Sequence, residues 1–359
     1  MILEPAPPRH TPATHSVSFW VRIVLSLALL TWVASRIDWS GAAEGLEKAQ
    51  PLWFLFAATC LILASVLAGL RWAALMERAG FPSARLRWLS LYFGSSLINQ
   101  GLPTVMGGDT FRAWQATHPH RAALITSPDK PGFRLAVGTV VLDRGLGLIG
   151  SLMLGGLGLL SLGQGWLSPP STAPEDNPLI PLLFSPTTGQ WGVTLLIALT
   201  SGLLLLGGIL HLRPLTAFLE KALATVHLGG IMPPTRLAFG LGTLFPQLLL
   251  AITVHILGVA AMAACLQGVN VPPPISALMV CLPAINILML LPISISGWGL
   301  RESALASVLA LWAIPTGLTV LASIGFGLAT LIAALPGLPA LLTRTHHSHS
   351  FPENQSHER

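Results

Sequence analysis

The chain has 359 residues, 52% of them hydrophobic and only 9% charged, with a mean hydropathy of +0.70, where soluble domains carry about 25% charged residues. That balance excludes an ordinary soluble enzyme and marks an integral membrane protein. The formal net charge of +5 does not signal nucleic acid, because there is no basic helix and only one tyrosine; the basic residues sit between apolar runs and read as topology signals.

Residues 1–16 are polar, contain Pro and His, and read as a disordered tail, as do 343–359 with His346, His347 and His349. Neighbouring histidines on a tail define no coordination geometry, so no metal and no cofactor is expected. Apolar segments follow at about 17–35, 52–70, 86–102, 135–162, 191–210, 241–266, 275–291, 300–313 and 316–335. Arg9 and Arg22 lend the first of them the look of a signal peptide, but it also serves as the opening span of a repeat. Cys60, Cys265 and Cys281 lie inside apolar segments without metal or redox spacing, and read as small buried hydrophobes.

Two segments end in one motif. Leu102-Pro103-x-x-x-x-Gly108-x-x-x-Arg112 matches Leu291-Pro292-x-x-x-x-Gly297-x-x-x-Arg301, with an amide upstream (Asn99, Asn286) and a carboxylate near the arginine (Asp109, Glu302). Each is a helix-breaking Pro and Gly beside an apolar run, so 86–102 and 275–291 are expected to be broken or re-entrant helices.

Loop charge sets an orientation. The 71–88 loop carries Arg71, Arg78, Arg85 and Arg87, the 112–134 stretch Arg112, Arg121, Lys130 and Arg134, and 211–236 Arg213, Lys221 and Arg236. The 163–190 loop has Glu175 and Asp176 and no basic residue, so it is expected outside and the others in the cytoplasm. If both broken segments return to the side they entered from, the halves have one order of elements and opposite orientation. The expected architecture is therefore an all-α polytopic membrane domain over 17–340. It consists of two inverted repeats, about 17–162 and 191–335, joined by an external Pro-rich linker at 163–190. That gives about six full spans plus two re-entrant pairs, with both termini cytoplasmic, in the plasma (inner) membrane.

A Pro followed by glycines opens the backbone ladder at membrane depth, and transporters aim such half-helix ends at anionic groups. Arg112 and Arg301 add a fixed charge and a fork of donors suited to phosphate or carboxylate. A purely local role is the alternative: Asp109 lies three residues before Arg112, and Glu302 adjoins Arg301. Asp143 and Arg144 stand inside an apolar helix and, pointing about 100° apart, cannot pair well with each other; Arg112 is the expected partner of Asp143. His255, with Gln247 on the same face, is either a packing residue or a proton relay. Trp20, Trp32, Trp39, Trp53, Trp72 and Trp88 fit an interfacial belt, and Trp298 is placed to cap a cavity. Phosphate loops, nucleophile elbows, metal-binding His pairs and diphosphate-binding Asp pairs are all absent, so no catalytic residue is expected.

At these motifs the sequence resembles the flippase-like membrane region of the lysylphosphatidylglycerol synthases, with multispanning relatives in hopanoid and polyprenyl-glycan loci. The resemblance is carried by Asn99-Gln100-Gly101-Leu102-Pro103, Gly107-Gly108-Asp109 with Arg112, Asp143-Arg144, and the run from Leu291 to Glu302. It implies a two-repeat fold with re-entrant helices and a role in moving or holding lipids. The two-domain members add a soluble domain that transfers lysine, for which this sequence shows no counterpart, so no synthase activity is expected.

The expected function is an inner-membrane lipid flippase or lipid-binding transporter for an anionic head group: a phospholipid, a hopanoid-type lipid or a polyprenyl-phosphate-linked lipid. The expected binding residues are Asn99, Pro103, Gly108, Asp109, Arg112, Asp143, Arg144, Asn286, Pro292, Gly297, Arg301 and Glu302. The alternatives are a membrane-embedded lipid transferase and a scaffold for a lipid-modifying enzyme. Membrane lipids are the expected partners.

Overall fold

The computed structural model describes residues 37–101 apart from Pro82, then 106–117, 132–163, 241–289 and 297–342, with isolated positions at 24–35 and Gln190. The expected spans at 17–35 and 191–210, the external linker and both tails thus lie wholly or mostly outside the described residues.

Within them the chain is helical: α1 (Trp39–Glu47), α2 (Pro51–Arg78), α3 (Arg85–Gly101), α4 (Met106–Thr117), α5 (Phe133–Gly163), α6 (Leu241–Gly268), α7 (Ile275–Leu288), α8 (Leu300–Leu309), α9 (Thr316–Ala334) and α10 (Leu338–Leu342), with short 3₁₀ turns before and after α9. Four stretches among the described residues are long and apolar enough to cross a membrane: Pro51–Arg78, Phe133–Leu162, Leu244–Gly268 and Thr316–Leu342. By contrast α3, with 17 residues, and α7, with 14, reach only about 25 Å and about 21 Å, against a hydrocarbon core of about 30 Å.

The ends of the long helices follow from local chemistry. Helix α2 stops where Gly80 turns left-handed at φ 82° and the Phe81 N–H reaches back to the Met76 carbonyl. Asn270, at φ 59°, ends α6 in the same way, with the Val271 N–H on the Leu266 carbonyl. The Asn270 side chain then donates to the Lys48 carbonyl and accepts from Gln50, tying the end of α6 to the start of α2. One sequence expectation is corrected here: α2 runs on to Arg78, so Arg71 is not in a loop but two turns inside a span.

Helix α2 turns Leu52, Leu55, Phe56 and Leu63 outward, as a lipid-facing surface requires, and buries Ala57, Ala58, Cys60 and Leu61 in a core shared with Val259–Leu266 of α6. Small residues let helix backbones approach, which is how helices gain packing energy in lipid. Each substantial contact among α2–α5 has a counterpart among α6–α9. Thus α2 packs on α3 and α5 as α6 packs on α7 and α9, and α4 bridges α3 and α5 as α8 bridges α7 and α9. Between the two sets, α2 lies on α6, α5 on α6 and α7, and α9 on α2 and α3.

Glycines set the closest crossings. At Gly158 an added Cβ would lie 2.9 Å from the Met279 Cβ, and at Gly150 it would lie 2.6 Å from the Ala251 Cβ and 3.0 Å from the Ala251 carbonyl carbon. The same Cβ at Gly145 meets nothing within 4 Å. Gly145→Ala is therefore expected to hold or slightly raise the thermal midpoint of purified protein, because alanine favours a helix by about 1 kcal/mol. Gly150→Ala, forcing α5 off α6, is expected to lower it by an overpacking cost of about 1–3 kcal/mol.

Candidate functional site: two buried arginine networks

The first network joins α2, α4 and α5. Asp143 is 1% exposed, and both carboxylate oxygens are occupied. Arg71 of α2 donates through Nε to Oδ1 at 2.9 Å and through Nη2 to the Asp143 backbone carbonyl at 3.0 Å. Arg112 of α4, also 1% exposed, reaches Oδ2 with Nη1 and Nη2, each at 3.2 Å. Asp109, one helical turn before Arg112, approaches its Nη2 at 3.1 Å and receives a fork from Arg144 at 2.9 and 3.1 Å. Arg112 also lies 4.9 Å from the Trp72 ring and 5.3 Å from the Tyr92 ring, so aromatic faces add to its stabilisation.

Three guanidinium groups thus face two carboxylates, which leaves one net positive charge. Two of the buried donors, Nη1 of Arg71 and Nε of Arg112, have no hydrogen-bond partner among the described residues. The network is closed at depth and open at its rim, where the Arg144 side chain is 45% exposed and that of Asp109 15%.

The second network is smaller and neutral. Arg301 donates to Glu302 Oε1 through Nη2 at 2.6 Å and Nε at 3.1 Å, and Ser323 of α9 hydrogen-bonds to both. The other carboxylate oxygen of Glu302 accepts the Gly299 N–H at 2.7 Å and so caps α8. The Trp298 and Phe326 rings lie 5.4 and 5.5 Å from the guanidinium.

Several sequence expectations meet this geometry directly. Arg112 pairs with Asp143, and Asp143 and Arg144 find separate partners. The local pairings Asp109–Arg112 and Arg301–Glu302 also form. The Trp298 ring lies 5.4 Å from the Arg301 guanidinium, three residues on. The freed backbone groups are a correction: the Gly108 N–H is taken by the Asn99 side-chain oxygen at 2.9 Å and the Gly299 N–H by Glu302, so neither awaits a ligand. Gly108 is not in the break either. It lies within α4, where an added Cβ would overlap the Ser95 carbonyl and come 2.7 Å from Asn99, so it serves the α3–α4 approach. Gly297 does sit in the break, left-handed at φ 79°. Asn286 is exposed on α7 and does not mirror Asn99. Pro103 and Pro292 fall outside the described residues.

Sequence reasoning missed Arg71, Tyr92 and Ser323. Arg71 could have been found, since Trp72, Ala73, Ala74, Leu75 and Met76 continue the apolar run beyond it. Trp72 and Trp88 are corrections to the proposed belt: they are 0% and 1% exposed, and Trp72 donates to Thr139 under the Arg112 guanidinium. Trp32, Trp39 and Trp53 are exposed, as a belt requires.

Apolar spans, short paired helices and ionised side chains buried between them define a multi-pass helical membrane protein. Among the described residues no group of three His, Cys, Asp or Glu could hold a metal ion. The chain belongs to the family described as the lysylphosphatidylglycerol synthase TM region, whose sequence profile matches residues 19–337. That membership relates it to membrane-lipid modification. No curated protein and no solved structure matches the chain.

Removing one partner of a buried ion pair leaves an uncompensated charge, at about 3–5 kcal/mol. Glu302→Gln is expected to lower the unfolding midpoint strongly, since it strands Arg301. Adding Arg301→Met should recover most of that loss when the double variant is compared in the same thermal assay.

Proposed function

We propose that this chain is an inner-membrane lipid carrier, not an enzyme, that binds the anionic head group of a lipid at the Arg71–Arg112–Asp143 network and moves it between leaflets. The single observation behind this reading is the unbalanced positive charge of that network among the described residues, where two buried N–H donors are left without a partner. A charge placed inside the membrane is costly and is retained where it serves a substrate or ion; an excess cation with spare donors suits a phosphodiester. The family's relation to membrane lipids supports the same substrate class.

In this reading Arg144 and Asp109 form the entrance, because they are the exposed members of the network. The neutral Arg301–Glu302–Ser323 network fixes the second helix break, and Arg112 and Arg71 receive the head group. The inverted repeat belongs to the proposal too. It is supported by the interchange of contacts between α2–α5 and α6–α9, by the nine-residue Pro-to-Arg spacing in both motifs, and by loop charge. The same charge pattern supports a cytoplasmic position for both termini. A lipid-modifying enzyme would supply or consume the lipid carried.

The test is translocation of head-group-labelled phosphatidylglycerol in proteoliposomes. Wild type is expected to speed the exchange of label between leaflets, and Arg112→Gln to abolish it. Arg112→Lys should retain only part of it, since a lysine cannot reproduce the two-pronged contact. Inorganic phosphate at equal concentration should leave the rate unchanged if the lipid, not free anion, is the substrate. Equal rates in wild type, Arg112→Gln and protein-free vesicles would reject the carrier reading.

A further inference from the structure

His255 is a titratable group near the middle of a span that the proposed carrier does not use. It is the fifteenth of the 28 residues of α6, hence near the middle of a span, where a titratable side chain is expensive and usually functional. Its Nε2 lies 2.8 Å from the carbonyl oxygen of Gly147 on α5. This contact is built by packing: the tight crossing of Gly150 and Ala251 sets α6 against α5, and the histidine one turn after Ala251 falls on the carbonyl one turn before Gly150.

Gly147 is also where the first network touches this crossing. A Cβ at Gly147 would lie 3.3 Å from Nη2 of Arg71, the atom that donates to the Asp143 carbonyl one turn earlier. Of the helices packed on α6, α2 brings Arg71 to this level and α5 brings Asp143 and Arg144, while α7 and α9 contain no Asp, Glu, Lys, Arg or His. Among the described residues, the arginine network therefore supplies the only charges at this level on the helices packed against the imidazole.

We propose that His255 is a proton-binding site linked to anion binding at the Arg71–Arg112–Asp143 network, so that the lipid head group enters together with a proton. Neutral His255 keeps one N–H on the Gly147 carbonyl. Protonation at Nδ1 adds a second positive charge beside Arg71, unfavourable in the empty network and favourable once a phosphodiester is present. By linkage, an anion that favours the protonated imidazole must bind more tightly as pH falls. A phosphodiester stays monoanionic throughout the range in which histidine titrates, so the pH dependence arises in the protein.

This inference rests on the network binding an anion, and the experiment separates the two. Purified full-length protein in neutral detergent is titrated with short-chain phosphatidylglycerol from about pH 5 to about pH 8, in buffers of different ionisation enthalpy, for wild type, His255→Gln and His255→Asn. Wild type is expected to bind more tightly as pH falls, by up to about tenfold per pH unit, with a binding heat that reports proton uptake. The Gln variant keeps a donor near the Nε2 position for the Gly147 carbonyl, the Asn variant removes it, and both are expected to bind with neither pH dependence nor uptake. Binding whose pH profile and proton uptake are the same in the variants as in wild type would overturn the proton site alone. No binding at any pH would overturn the anion site and the proton site together.

Discussion

The Asp143 carboxylate is the constraint on which the first half of the molecule depends. Its two oxygens are held by guanidinium groups from two other helices, so α2, α4 and α5 meet at a single buried charge. Helix α4 has only 12 residues, about 18 Å, too short to be held by spanning the bilayer. What holds it is Arg112, clamped between Asp143 and the Trp72 and Tyr92 rings, and the Gly108 contact to α3. An apolar pair could supply similar packing, but not the geometric demand of a forked donor on a fixed acceptor. Buried polar groups of this kind select one arrangement among several that packing alone would allow.

The same logic governs the breaks. N–H groups freed at the start of a helix must find partners, and here the partners are side chains in the motif itself. Asn99 receives the N–H of Gly108, and Glu302 receives that of Gly299 while also neutralising Arg301. Residues that seemed to expose backbone to a substrate are engaged in satisfying it. The open donors belong instead to guanidinium groups, whose five N–H positions exceed what two carboxylates can absorb.

Apolar length and period carried the spans, and among the described residues their positions agree with the sequence reading to within a few residues except in α2. That helix was cut short because Arg71 looked like a loop residue. In lipid a single arginine need not end a helix if a carboxylate waits on a neighbour, and Asp143 lies 72 positions away. The pair Arg112–Asp143 was legible because both residues stood out in apolar surroundings. Ser323, one serine among ordinary small residues of α9, carried no such mark; its role appears only when the fold brings it to Arg301. Asn286 shows a difference that the motifs conceal: its helix turns it outward, unlike the half-buried Asn99.

The two copies of the motif preserve the arginine and a local carboxylate, Asp109 or Glu302, but the first adds a carboxylate from another helix, with a mechanical consequence. Glu302 is next to Arg301 on one helix, so that pair moves as a unit and survives any shift of α8 against its neighbours. Asp143 is on a different helix from both Arg71 and Arg112, and Arg144 meets Asp109 across the same α4–α5 contact. Sliding α4 or α2 along α5 must therefore break charged contacts in the first network while leaving the second intact. An anion entering beside Arg71 and Arg112 would compensate the charges so released, which lowers the cost of the displacement only when the site is filled. The network with spare positive charge is thus also the one whose ion pairs bridge separate helices. Ligand binding and helix movement would then be coupled on one side of the molecule, with the Arg301–Glu302 unit as the fixed counterpart.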